Sequence, residues 1–196
     1  MDRKKLASRV SAALNAPLIT LIAFTLLIIY LRAPNSLTVM GITTFFGCLL
    51  PLVMVGVLLK LDLIEDFYAQ EKDSRFIPFL WTDLFYLAGT IALYLVDAPP
   101  AITALMACYV VNGIVLTIIT FKWKISIHTS GITGPVTALV YVIGSTMMPL
   151  FLTLIPVIWA RLELKAHTKM QLTAGAILTS LLTWMQMGFF MHRFLL

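Results

Sequence analysis

Long apolar runs broken by short polar clusters set the pattern of this chain. A helix of about 20 apolar residues crosses the hydrocarbon of a bilayer, and the runs at residues 10–31, 37–59, 77–96 and 101–121 meet that requirement. Arg32 and the turn residues Ala33-Pro34-Asn35-Ser36 close the first run, Lys60 ends the second, and Asp97-Ala98-Pro99-Pro100 separates the third from the fourth. Residues 61–76 form the most charged stretch, and their Leu61, Ile64, Phe67 and Tyr68 recur at helical spacing. An amphipathic helix lying along the membrane interface is predicted there. Residues 129–160 would measure about 48 Å as one helix, too long for a single crossing. Gly144-Ser145 and Pro149 suit a tight turn in their middle, so two short crossings are predicted at 126–144 and 147–159, with a last span at 168–190. The expected architecture is one all-α domain over residues 1–196. It is a polytopic transmembrane helical bundle of six to seven spans, with a short interfacial helix before the third.

Composition agrees with a chain that lives in a bilayer. It is 60% hydrophobic and 12% charged, with a mean hydropathy of +0.97, more apolar surface than one soluble core could hide. The basic start Met1-Asp2-Arg3-Lys4-Lys5 runs into apolar residues without a small-residue cleavage site, so it is expected to be retained. Cys48 and Cys108 lie inside apolar runs and are expected to be packing residues. The net charge of +5 has no basic stripe with interleaved aromatics, so a nucleic-acid partner is not expected.

Counting crossings puts the polar clusters together. If each run crosses once, the N-terminus, residues 61–76, Lys122–Ile127 and Arg161–His167 share one membrane surface, and only short turns and the C-terminal tail occupy the other. Of the 14 Lys and Arg residues, all but Arg32 and Arg193 fall on the cluster side. The positive-inside tendency makes that side cytoplasmic in a multi-pass protein of the cell (inner) membrane.

Three clusters carry candidate chemistry. Arg161 and His167 are separated by five residues, Ser126 and His128 by one, and Lys72, Arg75 and Lys124 complete the set. Arginine holds phosphate oxygens in bidentate fashion. A neutral histidine can attack phosphorus while a protonated one donates to the leaving oxygen. Two histidines, fixed cations and a hydroxyl at a membrane surface are therefore equipment for handling a phosphate. The third histidine, His192, lies on the far face, so no metal site and no cofactor are expected.

The same residues resemble a known family, the type-2 phosphatidic acid phosphatase superfamily of membrane lipid phosphatases. Its third motif, S-R-x5-H-x3-D, is matched in spacing by Ala160-Arg161, five residues, His167, three residues and Gln171, followed by the small residues Ala174-Gly175-Ala176. Its second motif, P-S-G-H, is similar to Ile125-Ser126-Ile127-His128, which keeps Ser and His. Its first, K-x6-R-P, is loosely similar to the stretch from Lys72 through Arg75 to Pro78. The resemblance implies that His167 is the nucleophile and forms a phosphohistidine, and that His128 protonates the leaving group. It implies that Lys72, Arg75 and Arg161 bind the phosphoryl oxygens and that Ser126 adds a hydrogen bond; Lys124, collected with these cations, is expected to bind the phosphate too. Gln171 stands where the family has an Asp that orients the nucleophilic histidine, and an amide there can hold the ring but supplies no charge. The implied substrate is a lipid phosphate such as phosphatidic acid, phosphatidylglycerol phosphate or a polyprenyl diphosphate, hydrolysed without a metal.

Plainer readings stand beside this one. Arg161, Lys165 and Lys169 also fit snorkelling cations at helix ends, and Lys72 and Arg75 have Glu71 and Asp73 as ready partners. Asp83, inside the third span, is expected to face something polar or to lie near the span's end. A phosphotransferase using the same histidine, and a non-catalytic membrane protein or small transporter that kept the fold, are the alternative functions.

Overall fold

The computed structural model describes residues 2–64 and 76–194. The described residues form an all-α helical bundle without strands. The helices are α1 (Arg3–Ala13), α2 (Ala16–Tyr30), α3 (Ser36–Thr44), α4 (Leu50–Lys60), α5 (Phe76–Leu95), α6 (Pro100–Lys122), α7 (Ile127–Ile143), α8 (Leu154–Glu163) and α9 (Lys169–Phe194). Among the described residues, six helical stretches are long and apolar enough to cross a membrane, and α7, at 17 residues, is a shorter apolar helix between them. The chain is an integral membrane protein. Leu37, Leu95, Met185, Ile155 and Leu152 point outwards, as suits a surface bathed in hydrocarbon.

Two expected boundaries are corrected. The first run, part of the apolar stretch Arg3–Tyr30, is not one unbroken helix: it stops after Ala13 and restarts at Ala16. Asn15 caps the new helix by accepting from Leu18 N–H at 3.0 Å, and Pro17 occupies its first turn, where a missing N–H costs nothing. α1 is thereby a separate, charge-rich helix, docked against α8 with Arg3 and Glu163 paired at 3.3 Å. In the expected interfacial helix, residues 61–64 instead form a turn that closes α4. Asp62 takes a left-handed backbone (φ 54°) and Leu63 N–H returns to Leu58 O at 3.0 Å, a Schellman arrangement. Residues 65–75, with Lys72 and Arg75, lie outside the described residues.

The other expected spans appear within a few residues. Between α3 and α4 the helix widens into a π turn, Phe45–Leu49. Pro51 has no N–H to offer the Gly47 carbonyl, and a wider turn absorbs the lost bond. The predicted turn at Gly144 is present, with φ 112°, and leads into a 3-10 segment, Ser145–Thr153, that feeds α8.

The bundle has two different ends. One is filled by Phe24, Leu27, Leu93, Ile102, Leu105, Met106 and Met187, all buried in one apolar cluster. At the other end meet α1, the ends of α6 and α8, and the starts of α7 and α9. Direct bonds show the meeting: Arg161 to Ser11, Ser126 N–H to Gln171 O at 3.3 Å, and the Arg3–Glu163 pair. The N-terminus, Lys122–Ile127 and Arg161–His167 therefore share one end, as crossing parity requires.

Candidate functional site

Two turns build the site. α8 ends in a Schellman motif: Ala166 N–H bonds Arg161 O at 3.0 Å and Lys165 N–H bonds Leu162 O at 2.9 Å. Lys165 takes the left-handed position (φ 52°) that glycine more often fills. The reversal turns His167 inwards, to 7% exposure. The next residue starts α9 with a capping box: Gln171 N–H bonds Thr168 Oγ1 at 3.3 Å and Thr168 N–H bonds Gln171 Oε1 at 3.0 Å. The five-residue gap between Arg161 and His167 is thus the last turn of α8, its reversal and the re-entry into α9.

The second turn joins α6 to α7. Trp123 N–H closes α6 on Ile119 O, and the chain runs extended to Ser126. Ser126 Oγ caps α7 by accepting from Thr129 N–H at 3.4 Å. Thr129 Oγ1 donates to Leu172 O at 2.9 Å and Ser130 Oγ to Gly175 O at 3.2 Å, tying α7 to α9. Gly175 can carry no side chain, because a Cβ there would stand 2.6 Å from Ser126 O. The cap delivers His128 at the second position of α7.

Arg161, His128 and His167 all line one cavity of about 240 Å³. Arg161 is 2% exposed. Its Nη1 donates to Ser11 Oγ at 3.1 Å, and the same hydroxyl lies 3.2 Å from His128 Nε2. A serine hydroxyl has one proton and two lone pairs. With His128 neutral and Nε2 bare, Ser11 donates to it; with His128 protonated, Ser11 accepts from both partners. The bridge holds in either protonation state, which suits a histidine that gives and takes a proton.

Away from these three side chains the wall is mostly apolar, with Pro17, Leu52, Val55, Phe79, Leu116 and Pro135. Asp83, Tyr86, Tyr109 and Asn112 bring polar groups to it deeper in the bundle. Asn112 continues into a row of hydrogen bonds, donating to Thr183 Oγ1 at 2.9 Å and accepting from Gln186 Nε2 at 3.1 Å.

The expected residues divide accordingly. Arg161, His128 and His167 come together in the cavity wall. Ser126 and Lys124 stand at the same end but do not line the cavity; Ser126 serves as the α7 cap. Gln171, expected to orient His167, places its amide oxygen on Thr168 N–H as part of the α9 cap. Ser11 is the residue that sequence reasoning missed. Its signal is the spacing of Arg3, Ala7 and Ser11 at every fourth position of α1, one face that carries the ion pair and both buried residues of that helix.

No protein-family model, no curated protein and no solved structure matches this chain.

Proposed function

We propose that this chain is a membrane lipid phosphatase working through a phosphohistidine on His167. One observation carries the reading: Ser11 ties Arg161 to His128 in the wall of a largely apolar cavity that also holds His167. An anionic head at the cations and an apolar tail along Leu52, Val55, Phe79 and Leu116 describe a lipid phosphate.

In the reaction, a ring nitrogen of His167 attacks phosphorus and the bond from phosphorus to the lipid oxygen breaks. Protonated His128 gives its proton to that oxygen as the lipid leaves. Water then attacks the phosphohistidine, neutral His128 takes the water's proton, and the P–N bond breaks to release phosphate. Arg161 balances charge on the non-bridging oxygens, its planar fork of N–H donors matching their geometry. The buried setting strengthens each of these interactions relative to water.

The test is phosphate release by the detergent-purified protein from phosphatidic acid, phosphatidylglycerol phosphate and a polyprenyl diphosphate, with and without EDTA. Release by wild type and none by His167→Ala is the expected result; equal release by both removes the nucleophile. The excess of Lys and Arg at the site's end favours a cytoplasmic face. Cys48 and Cys108 are buried, so Lys165→Cys gives a specific probe of sidedness. It should react with an impermeant maleimide only after cells are opened, and labelling of intact cells reverses the orientation.

A further inference from the structure

Asp83 has no role in the phosphoryl chemistry above, yet it lines the same cavity as Arg161, His128 and His167. It lies seven residues into α5, about 10 Å along the axis from the helix start at the site's end. That depth falls inside an otherwise apolar span. Its carboxyl group occupies the space that a Cβ on Gly113 of α6 would need, so the α5–α6 contact is built around it. Among the described residues no hydrogen bond and no ion pair reaches Asp83, while Asn112, Tyr86 and Tyr109 stand in the same wall. A carboxyl group kept inside a span is expensive and marks a functional position. An apolar residue would serve a purely greasy tail better.

We propose that Asp83 is a specificity-determining residue that accepts a hydrogen bond from a donor on the lipid's backbone, a hydroxyl or an ammonium, below the phosphate. The inference rests on the lipid-phosphate reading of the cavity and narrows it. The cavity is polar at two depths, cationic at its mouth and hydrogen-bond accepting further in. A lipid with a phosphate head and a backbone donor satisfies both depths. A prenyl chain leaves the deeper acceptor facing hydrocarbon, and sites with an unanswered buried polar group reject such ligands.

The test uses a pair differing by one donor, lysophosphatidic acid and its 2-O-methyl ether with the same acyl chain, and a sphingoid-base phosphate that offers an ammonium. In wild type, kcat/KM for the free hydroxyl should exceed that for the ether by about tenfold or more, and Asp83→Ala should bring the ratio close to one. The ammonium lipid compared with the hydroxyl lipid shows which donor Asp83 prefers. The same pair is compared for binding to His167→Ala by its thermal stabilisation, which requires no turnover. Absence of phosphate release from every lipid defeats the phosphatase reading, while unequal binding lost in Asp83→Ala still supports the donor site. Equal binding of hydroxyl and ether by His167→Ala, or a ratio that survives Asp83→Ala, overturns the inference.

Discussion

The two ends of this bundle are held together by different forces. At the apolar end, Leu27, Leu93, Ile102, Leu105 and Met106 are buried in one apolar cluster, and contact among them is a matter of shape and dispersion. At the polar end, glycines and hydroxyls let helices touch: Gly175 lies against Ser126 and Thr129, and Ser130 and Thr129 bond to α9 carbonyls. Tyr109 marks the border, lining the cavity while its ring meets Phe24 edge-on at 5.7 Å. The difference teaches where stability and chemistry reside. A well-packed end lets the other tolerate a buried guanidinium, an inward histidine and a carboxyl group inside a span, each of which costs folding free energy.

That contrast can be broken most severely at His167. Its replacement by Ala should lower phosphate release by about a thousandfold or more, since the proposed mechanism routes the phosphoryl group through this histidine. Arg161→Lys comes next, with about a hundredfold loss in kcat/KM, as a point charge cannot reproduce the planar fork. Measured rates within threefold of wild type would place the phosphate elsewhere.

Ser11→Ala should lower kcat about tenfold by loosening Arg161 and His128 together, and Ser11→Thr, which keeps the hydroxyl, should restore most of it. If both variants lose the same activity, Ser11 matters for packing rather than for its oxygen. The apolar end should answer in the opposite currency. Leu105→Ala should lower unfolding stability by about 2 kcal/mol or more while leaving KM unchanged, which a detergent melting curve and steady-state kinetics would check. The smallest effect is expected at Gln171: Gln171→Ala removes half of a capping box, costing about 1 kcal/mol, with activity within threefold of wild type. A large loss of activity there would restore an orienting role to that position.

Much of the bundle was legible because a bilayer demands apolar runs of a narrow length, and charges at residues 60, 122 and 161 mark where the runs end. Gly144 marked its turn because few other residues accept φ 112°. The grouping of His128, Arg161 and His167 followed from crossing parity alone. What escaped depended on local signals inside apolar surroundings. The Asn15 cap and Pro17 interrupt a run that hydropathy alone reads as continuous, and Pro51 has a similar effect on the helix around Gly47. Thr168 and Gln171 spell a capping box in the sequence, but a match to motif spacing drew Gln171 towards His167 instead. Ser11 was invisible for a different reason: its partners lie 117 and 150 residues away, and no local pattern encodes that meeting.

The central claim is that His167 carries the phosphoryl group, and trapping that group tests it most directly. Wild-type protein would be mixed with phosphatidic acid, quenched in alkali within one turnover, digested and analysed by mass spectrometry, with His128→Ala and His167→Ala treated in parallel. The account predicts an acid-labile, alkali-stable phosphate on the peptide containing His167 in wild type, less of it in His128→Ala, which lacks the acid for the first step, and none in His167→Ala. Phosphate released at the wild-type rate with no labelled histidine, or label that survives His167→Ala, would contradict it.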